Sequence, residues 1–443
     1  MATLDRWRPF LSTPKTLSFP QLELVGRDFS PPIVVGSGEV RMPTPNRFEY
    51  SLAGVPADLR YFFEAFREQQ QNPYDNLARF RLRGVDAEGE DWALGWTVPR
   101  FEAGEDDEDD WTFTDRLDGL IVDDRSDTVA KDSSTELVFV VPVNDPMAHA
   151  MGRFVFTRQA DGRPLREHVI EAVGSSIRFN YEPSSGTLTI VASHSADLPP
   201  TLAENWLVEP LRILFGQLVF PRLVARNFGD GRAMIFVGRS PGVIHEAAWA
   251  ALWDADDPGT DKSVFWSKYA GLLTFVVQAR DENGLPNFEP NKVTKLYEEI
   301  IQASRGSRWV WALTFASSIE GLVRLLYPRK AKRADVDAAA IESLVKHIGA
   351  WGGADERLMK VAINAVHRTA EFTSIHALRE LVKARIVSTE QLAAWEAIRN
   401  SVTHGSLLSP YSNAEEDGKL RALAAMMHAL TSEIVRRAAS ATP

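Results

Sequence analysis

The sequence predicts an α+β protein in which a β-rich N-terminal region is followed by an all-α C-terminal helical bundle. Up to about residue 240, short β-rich runs alternate with Gly, Pro and Asp/Asn turn signals. Beyond Asp257-Pro258-Gly259 the β signal fades, and apolar residues recur near i, i+3, i+4 and i+7. Charge divides in much the same way. Residues 301–443 hold 19 Lys plus Arg against 14 Asp plus Glu (+5), which leaves 30 against 46 (-16) in the first 300 residues of a chain whose net charge is -11. An acidic body and a mildly basic C-terminal part are expected to divide the labour.

In the first region the strand signals are Ile33-Val34-Val35, Ala78-Arg79-Phe80-Arg81-Leu82, Trp92-Ala93-Leu94-Gly95-Trp96, Leu137-Val138-Phe139-Val140-Val141 and Thr187-Leu188-Thr189-Ile190-Val191. Together they predict an antiparallel sandwich or barrel-like unit. A helix from Pro56 to about Gln70 interrupts it, with Pro56 in its first turn and Asp58 near the positive end of its dipole. A second helix, Leu202 to about Leu218, places Trp206, Leu207, Leu211, Leu214 and Leu218 at helical spacing around Pro210. Further helices are predicted over 263–280, 292–304, 309–327, 335–350, 355–371, 374–384, 388–404 and 416–438. At 443 residues, two or three domains are expected. The boundaries read as a β-rich region 1–240, a helical connector 241–305 and a helical bundle 306–443.

Many chemistries are excluded. There is no cysteine, hence no disulfide, thiolate metal site or Cys nucleophile. No run of about 20 apolar residues is present, and Met1 to Phe10 carries Asp5, Arg6 and Arg8 with no apolar core after them, so cytoplasmic residence is expected. The acidic run Glu105-Asp106-Asp107-Glu108-Asp109-Asp110 lacks the Gly and the alternation of a Ca²⁺ loop and reads as solvated. Gly36-Ser37-Gly38 opens like a dinucleotide fingerprint, but Arg41 occupies the third glycine's place and no helix follows. Gly238-Arg239-Ser240-Pro241-Gly242 matches GxSxG, yet Pro241 has no N–H for an oxyanion hole. His245-Glu246 lacks its second histidine, since Trp249 stands there, and His149, His168 and His194 are singly placed. No metal ligand set and no cofactor are expected.

The informative segment runs from Ser388 to Ser409. Ser388 with Gln391 makes a capping box, and Val387 with Leu392 a hydrophobic staple. Leu392, Trp395, Ile398 and Val402 form an apolar stripe, and Gly405 suits the left-handed position that ends a helix. Arg399 and His404 lie off that stripe and, five residues apart, point about 140° from one another on an ideal helix. They meet if the last turn unwinds or if two copies of the helix build one cleft; otherwise Arg399 is a solvated cation and His404 complements the helix dipole.

The pattern Arg399-Asn400-x-x-x-His404, late in the penultimate helix of an all-α domain, resembles the Arg-x4-6-His motif of HEPN ribonucleases. A Ser-Pro-Tyr-Ser-Asn loop and a last amphipathic helix with Leu420, Leu423, Met427, Leu430 and Ile434 follow it, as in HEPN bundles. The whole chain, more loosely, resembles ApeA-type antiphage proteins of abortive infection. The resemblance implies a metal-independent endoribonuclease with Arg399, Asn400 and His404 as catalytic residues, a homodimer with a composite active site, and host RNA, above all tRNA anticodon loops, as substrate. The alternative is a non-catalytic HEPN module that dimerises or binds nucleotide or RNA.

Two accessory positions stand out. Glu320 sits at the margin of the stripe Ala312, Phe315, Ile319, Val323 and Leu326, where it either pairs with Arg324 at i, i+4 or, as related bundles imply, positions Arg399 or His404. The cluster Arg329-Lys330-Ala331-Lys332-Arg333 suits an RNA backbone and equally serves solubility. The N-terminal region is expected to be a sensor or regulatory module, responsive to a phage-derived trigger. Its Trp92, Trp96 and Trp111 read as core rather than as a ligand platform.

Overall fold

The structure is a computed structural model that describes residues 3–12, 14–26, 31–72, 79–104, 111–141, 145–156, 167–239, 264–281, 283–328, 338–353, 355–369, 373–403 and 408–441. The described residues of Met1–Leu211, Leu218–Ile244 and Trp253–Glu289 form one unit, and those of Arg212–Gln217 and Pro290–Pro443 a second.

In the first unit the strands are β1 (Lys15–Val25), β2 (Val34–Thr44), β3 (Arg47–Pro56), β4 (Phe80–Val85), β5 (Asp91–Thr97), β6 (Arg100–Glu102), β7 (Trp111–Leu117), β8 (Gly119–Asp124), β9 (Ser134–Val140), β10 (Glu167–Ala172), β11 (Ser175–Glu182), β12 (Thr187–Ser193), β13 (Leu223–Asn227) and β14 (Ala233–Gly238). They join in one antiparallel sheet in the order β10-β11-β12-β9-β13-β14-β8-β5-β4-β1-β2-β3-β7-β6. The expected sandwich or barrel-like unit is thus a single ladder ending in β6 and β10. Its register shifts between Phe19 and Leu22 and again between Arg41 and Thr44, the stretches that contain Pro20 and Pro43. Proline has no N–H to give a ladder, so the bulges fall where the ladder cannot be made.

Gly36 and Gly38 lie inside β2 rather than in a turn. A Cβ on Gly36 would sit 1.9 Å from the Ala53 carbonyl oxygen, and one on Gly38 2.0 Å from that of Ser51. Close backbone approach, not phosphate binding, is what these glycines serve.

Helix α1 (Leu59–Gln71) starts later than expected. Pro56 closes β3, and Asp58 is the cap, its side chain accepting from Tyr61 N at 3.1 Å. The helix buries Phe62, whose ring contacts those of Phe66, Phe101, Trp111 and Phe113 at 4.9–5.8 Å. Trp92 is buried as well. After the short α2 (Pro146–Ala150) comes α3 (Pro200–Phe215), which carries Pro210 inside it. Leu218 falls beyond it because Gly216, at φ +59°, ends the helix. The following helix, α4 (Phe265–Gln278), packs on the sheet: Tyr269 Oη donates to Leu207 O at 2.8 Å and Trp266 stacks on His168.

The N-terminal segment is stitched into the same unit. Buried Glu136 on β9 accepts from Thr3 N at 3.0 Å and Leu4 N at 3.2 Å, and from Asn227 Nδ2 at 3.1 Å. Thr3 Oγ1 donates to Asn227 Oδ1 at 2.7 Å, and Trp7 Nε1 to the buried Asp124 at 2.8 Å. Leu4 and Trp7 are thereby held in the core.

Arg222 lies in the same interior, 1% exposed. Its Nη2 donates to Phe10 O at 3.1 Å, but Nε and Nη1 have no partner, and burial lowers its pKa to about 10. A buried cation without a carboxylate is costly. Arg222→Met, which keeps the length and drops the charge, is expected to raise unfolding free energy by about 1–2 kcal/mol in a urea titration; a loss of stability would mean that the Phe10 contact outweighs desolvation.

In the second unit are α5 (Lys292–Ala303), α6 (Arg308–Leu326), α7 (Ala338–Gly349), α8 (Glu356–Thr369), α9 (Ser374–Lys383), α10 (Thr389–Thr403) and α11 (Ala414–Ala441). Of the expected helical connector 241–305, the described residues divide between the units: α4 packs with the sheet and α5 with the bundle. Helix α6 is central: it packs against α5, α9, α10 and α11 and buries Trp311, Phe315, Ile319, Leu322 and Val323. It alone among the described helices is long and apolar enough to cross a membrane. Buried Tyr297 of α5 shares a hydrogen bond with Thr431 of α11 at 3.1 Å. Helix α11 starts two residues before the expected 416, because Asn413 caps it by accepting from Glu416 N at 2.8 Å.

Candidate functional site

Helices α9 and α10 are joined by a turn of five residues, 384–388, which makes them antiparallel neighbours. Arg385 adopts φ +58° there, and Ile386 N and Arg385 N close back on Leu381 O and Val382 O, each at 2.9 Å. This is a Schellman ending with arginine where glycine is usual. On the other side of the turn Ser388 N donates to Gln391 Oε1 at 2.9 Å and Gln391 N to Ser388 Oγ at 3.1 Å, the reciprocal pair that the capping signature predicts. Ser374 lies nine residues before the end of α9 and Arg399 ten residues into α10, so the turn brings the start of α9 beside the Arg399 region.

Between α6, α9 and α10 lies a cavity of about 610 Å³. Helix α6 contributes Glu320 and Arg324, α9 and its cap Thr373 and Ser374, and α10 Trp395, Arg399 and Asn400. Trp395 is 2% exposed, and its indole N–H donates to Ala316 O on α6 at 3.2 Å. The guanidinium carbon of Arg399 lies 5.4 Å from the centre of that ring.

Arg399 Nε donates to Glu320 Oε1 at 2.6 Å. The other carboxylate oxygen is 3.7 Å from Arg324, an ion pair too long for a hydrogen bond. One carboxylate thus serves both cations, and its closer partner is on another helix rather than at i, i+4. The side chain of Arg399 remains 48% exposed, against 22% for Glu320, so the guanidinium is oriented but open to solvent. Such a planar fork is suited to a phosphate.

Of the expected site residues, Arg399, Asn400 and Glu320 line one cavity. His404 and Gly405 lie outside the described residues, as do Arg329, Lys330, Lys332 and Arg333, the acidic run 105–110, His245 and Ser240. The remaining singly placed histidines sit elsewhere. His168 stacks on Trp266 with centroids 4.2 Å apart, and burial lowers its pKa. His194 is held between Ser133 Oγ at 2.7 Å and Thr135 Oγ1 at 2.8 Å, and burial with nearby Arg226 lowers its pKa too. Among the described residues no group of three or more His, Asp or Glu could hold a metal.

Thr373, Ser374 and the Trp395 floor did not stand out in the sequence as site residues. The signal that finds them is the short α9–α10 turn, which folds residues 25 or more positions apart onto one another. Comparison with family models, curated proteins and solved structures gives no match.

Proposed function

We propose that the protein is a metal-independent endoribonuclease that cleaves host RNA, tRNA anticodon loops in particular, in antiphage abortive infection. The observation that carries this reading is the Arg399 guanidinium, fixed by Glu320 and exposed to the cavity, one residue before Asn400 and five before His404. RNA brings its own nucleophile, so the protein needs only a base near neutral pKa and a cation for the phosphorane. The 2′-oxygen attacks phosphorus as its proton leaves, the P–O5′ bond breaks and the 5′-oxygen takes a proton. His404 serves one of these two transfers. Arg399 holds the phosphate, Asn400 orients the imidazole or a phosphate oxygen, and Glu320 positions Arg399. The products are a 2′,3′-cyclic phosphate and a 5′-hydroxyl, and DNA is spared.

The roughly 140° that separates positions 399 and 404 on an ideal helix favours a homodimer whose cleft takes residues from both protomers. In this reading Arg329, Lys330, Lys332 and Arg333 track the RNA backbone. The acidic N-terminal region senses a phage-derived trigger and restrains the nuclease, which acts in the cytoplasm. The test is total RNA from cells under phage challenge: wild type is expected to yield fragments with 2′,3′-cyclic phosphate ends, and His404→Ala intact RNA. Identical RNA and equal growth would leave the bundle as a non-catalytic module that dimerises or binds nucleotide or RNA.

A further inference from the structure

The solvent face of β2, β3, β7 and β6 holds a second concavity, of about 620 Å³. Strand pairing aligns Arg41, Glu49 and Arg116 in one row across three strands, and Ser51, Thr114 and Arg100 in the next. Residues paired directly in this way share a face of the sheet. Four guanidinium groups line the groove, those of Arg41, Arg47, Arg100 and Arg116, against the two carboxylates of Glu49 and Asp115.

Arg41 pairs with Glu39 and Arg47 with Glu49. Arg100 and Arg116 have no ion pair or side-chain hydrogen bond among the described residues. Arg116 is two positions along β7 from Thr114, the residue opposite Arg100, so the two side chains are rooted about 7–8 Å apart. Two arginines side by side with no charged partner among the described residues repel one another, and they do so within the part of the chain that is otherwise strongly acidic. An anion between them removes that cost, and planar forks match phosphate oxygens two at a time.

The volume suits a nucleotide-sized ligand. Tyr50, the one aromatic among the described lining residues, is buried and its hydroxyl accepts from Thr97 Oγ1 at 3.1 Å, so the described residues offer no platform on which bases of a single strand would stack. We propose that this groove binds a small ligand through an oligophosphate group held by Arg100 and Arg116. The site is separate from the nuclease reading and does not depend on it.

The test is calorimetric titration of the full-length protein with inorganic triphosphate and, separately, with ATP. Both are expected to bind at one site per chain. Equal affinities would assign recognition to the phosphates alone, and tighter ATP binding would add a contact to the nucleoside; either supports the site. The double variant Arg100→Ala/Arg116→Ala is expected to weaken both by at least roughly tenfold with an unchanged melting temperature. The Lys/Lys variant, which keeps the charge without the fork, should lie between. Arg178→Ala on β11 is the control and should bind like wild type. No heat from either ligand at millimolar concentration, an equal loss in Arg178→Ala, or binding only of a single-stranded RNA oligonucleotide would overturn the proposal.

Discussion

Arg399→Ala is expected to lower RNA cleavage by roughly 10²–10³-fold, the usual cost of removing one donor aimed at a developing oxyanion. The fold should survive, because the side chain is half exposed and its pair with Glu320 is a partly solvated one, worth about 1 kcal/mol or less. Arg399→Lys should recover only part of the rate, since an ammonium keeps the charge but not the bidentate fork. Glu320→Gln separates positioning from structure. It keeps the shape of the Arg399 contact while removing a negative charge from the cavity, so kcat should fall about tenfold with KM unchanged or lower. A purely structural role for Glu320 would instead lower the melting temperature and leave kcat alone. Cleavage by Arg399→Ala at the wild-type rate would end the catalytic reading of this cavity.

The second large effect lies in the first unit. Glu136→Ala should cost about 3–5 kcal/mol of unfolding free energy, because it leaves Thr3 N, Leu4 N and Asn227 Nδ2 buried near one another without their shared acceptor. Set against a typical total of about 5–15 kcal/mol, that is enough to bring the unit close to unfolding at working temperature. Urea denaturation reads the loss, and limited proteolysis near residues 3–11 should become faster. Glu136→Gln, which retains one acceptor oxygen, should lose less. An alanine variant as stable as wild type would mean that water satisfies these donors.

Helices were legible in the sequence because their signals are local. The predicted bounds of α5, α6, α9 and α10 differ from the observed ones by a residue or so, and the cap residues explain most of that. The sheet was less legible. Only five strand runs were apolar enough to stand out, whereas β1, with KTLSFPQLELV, and β10, with EHVIEA, mix polar and apolar residues and are strands only through their ladder partners. Pairing between residues far apart decides such segments, and a pattern along the chain does not record it. The same holds for the candidate site. Arg399 and Asn400 were visible as a motif, but the choice of Glu320 between Arg324 and Arg399 depends on how α6 meets α10. The groove on β2, β3, β7 and β6 had no signal at all, because its arginines come together only by register.

The stitching of Leu4 and Trp7 into the sheet also sets a clock. Thr3 and its partner Asn227 are separated by 224 residues. At about 5–20 residues per second, a ribosome takes roughly 10–45 s to make the second after the first. Trp7 can meet Trp92 and Asp124 well before then, but throughout that interval the Thr3–Asp5 turn lacks β13, against which it packs. The sheet can close over Thr3 and Leu4 only once β13 has been made.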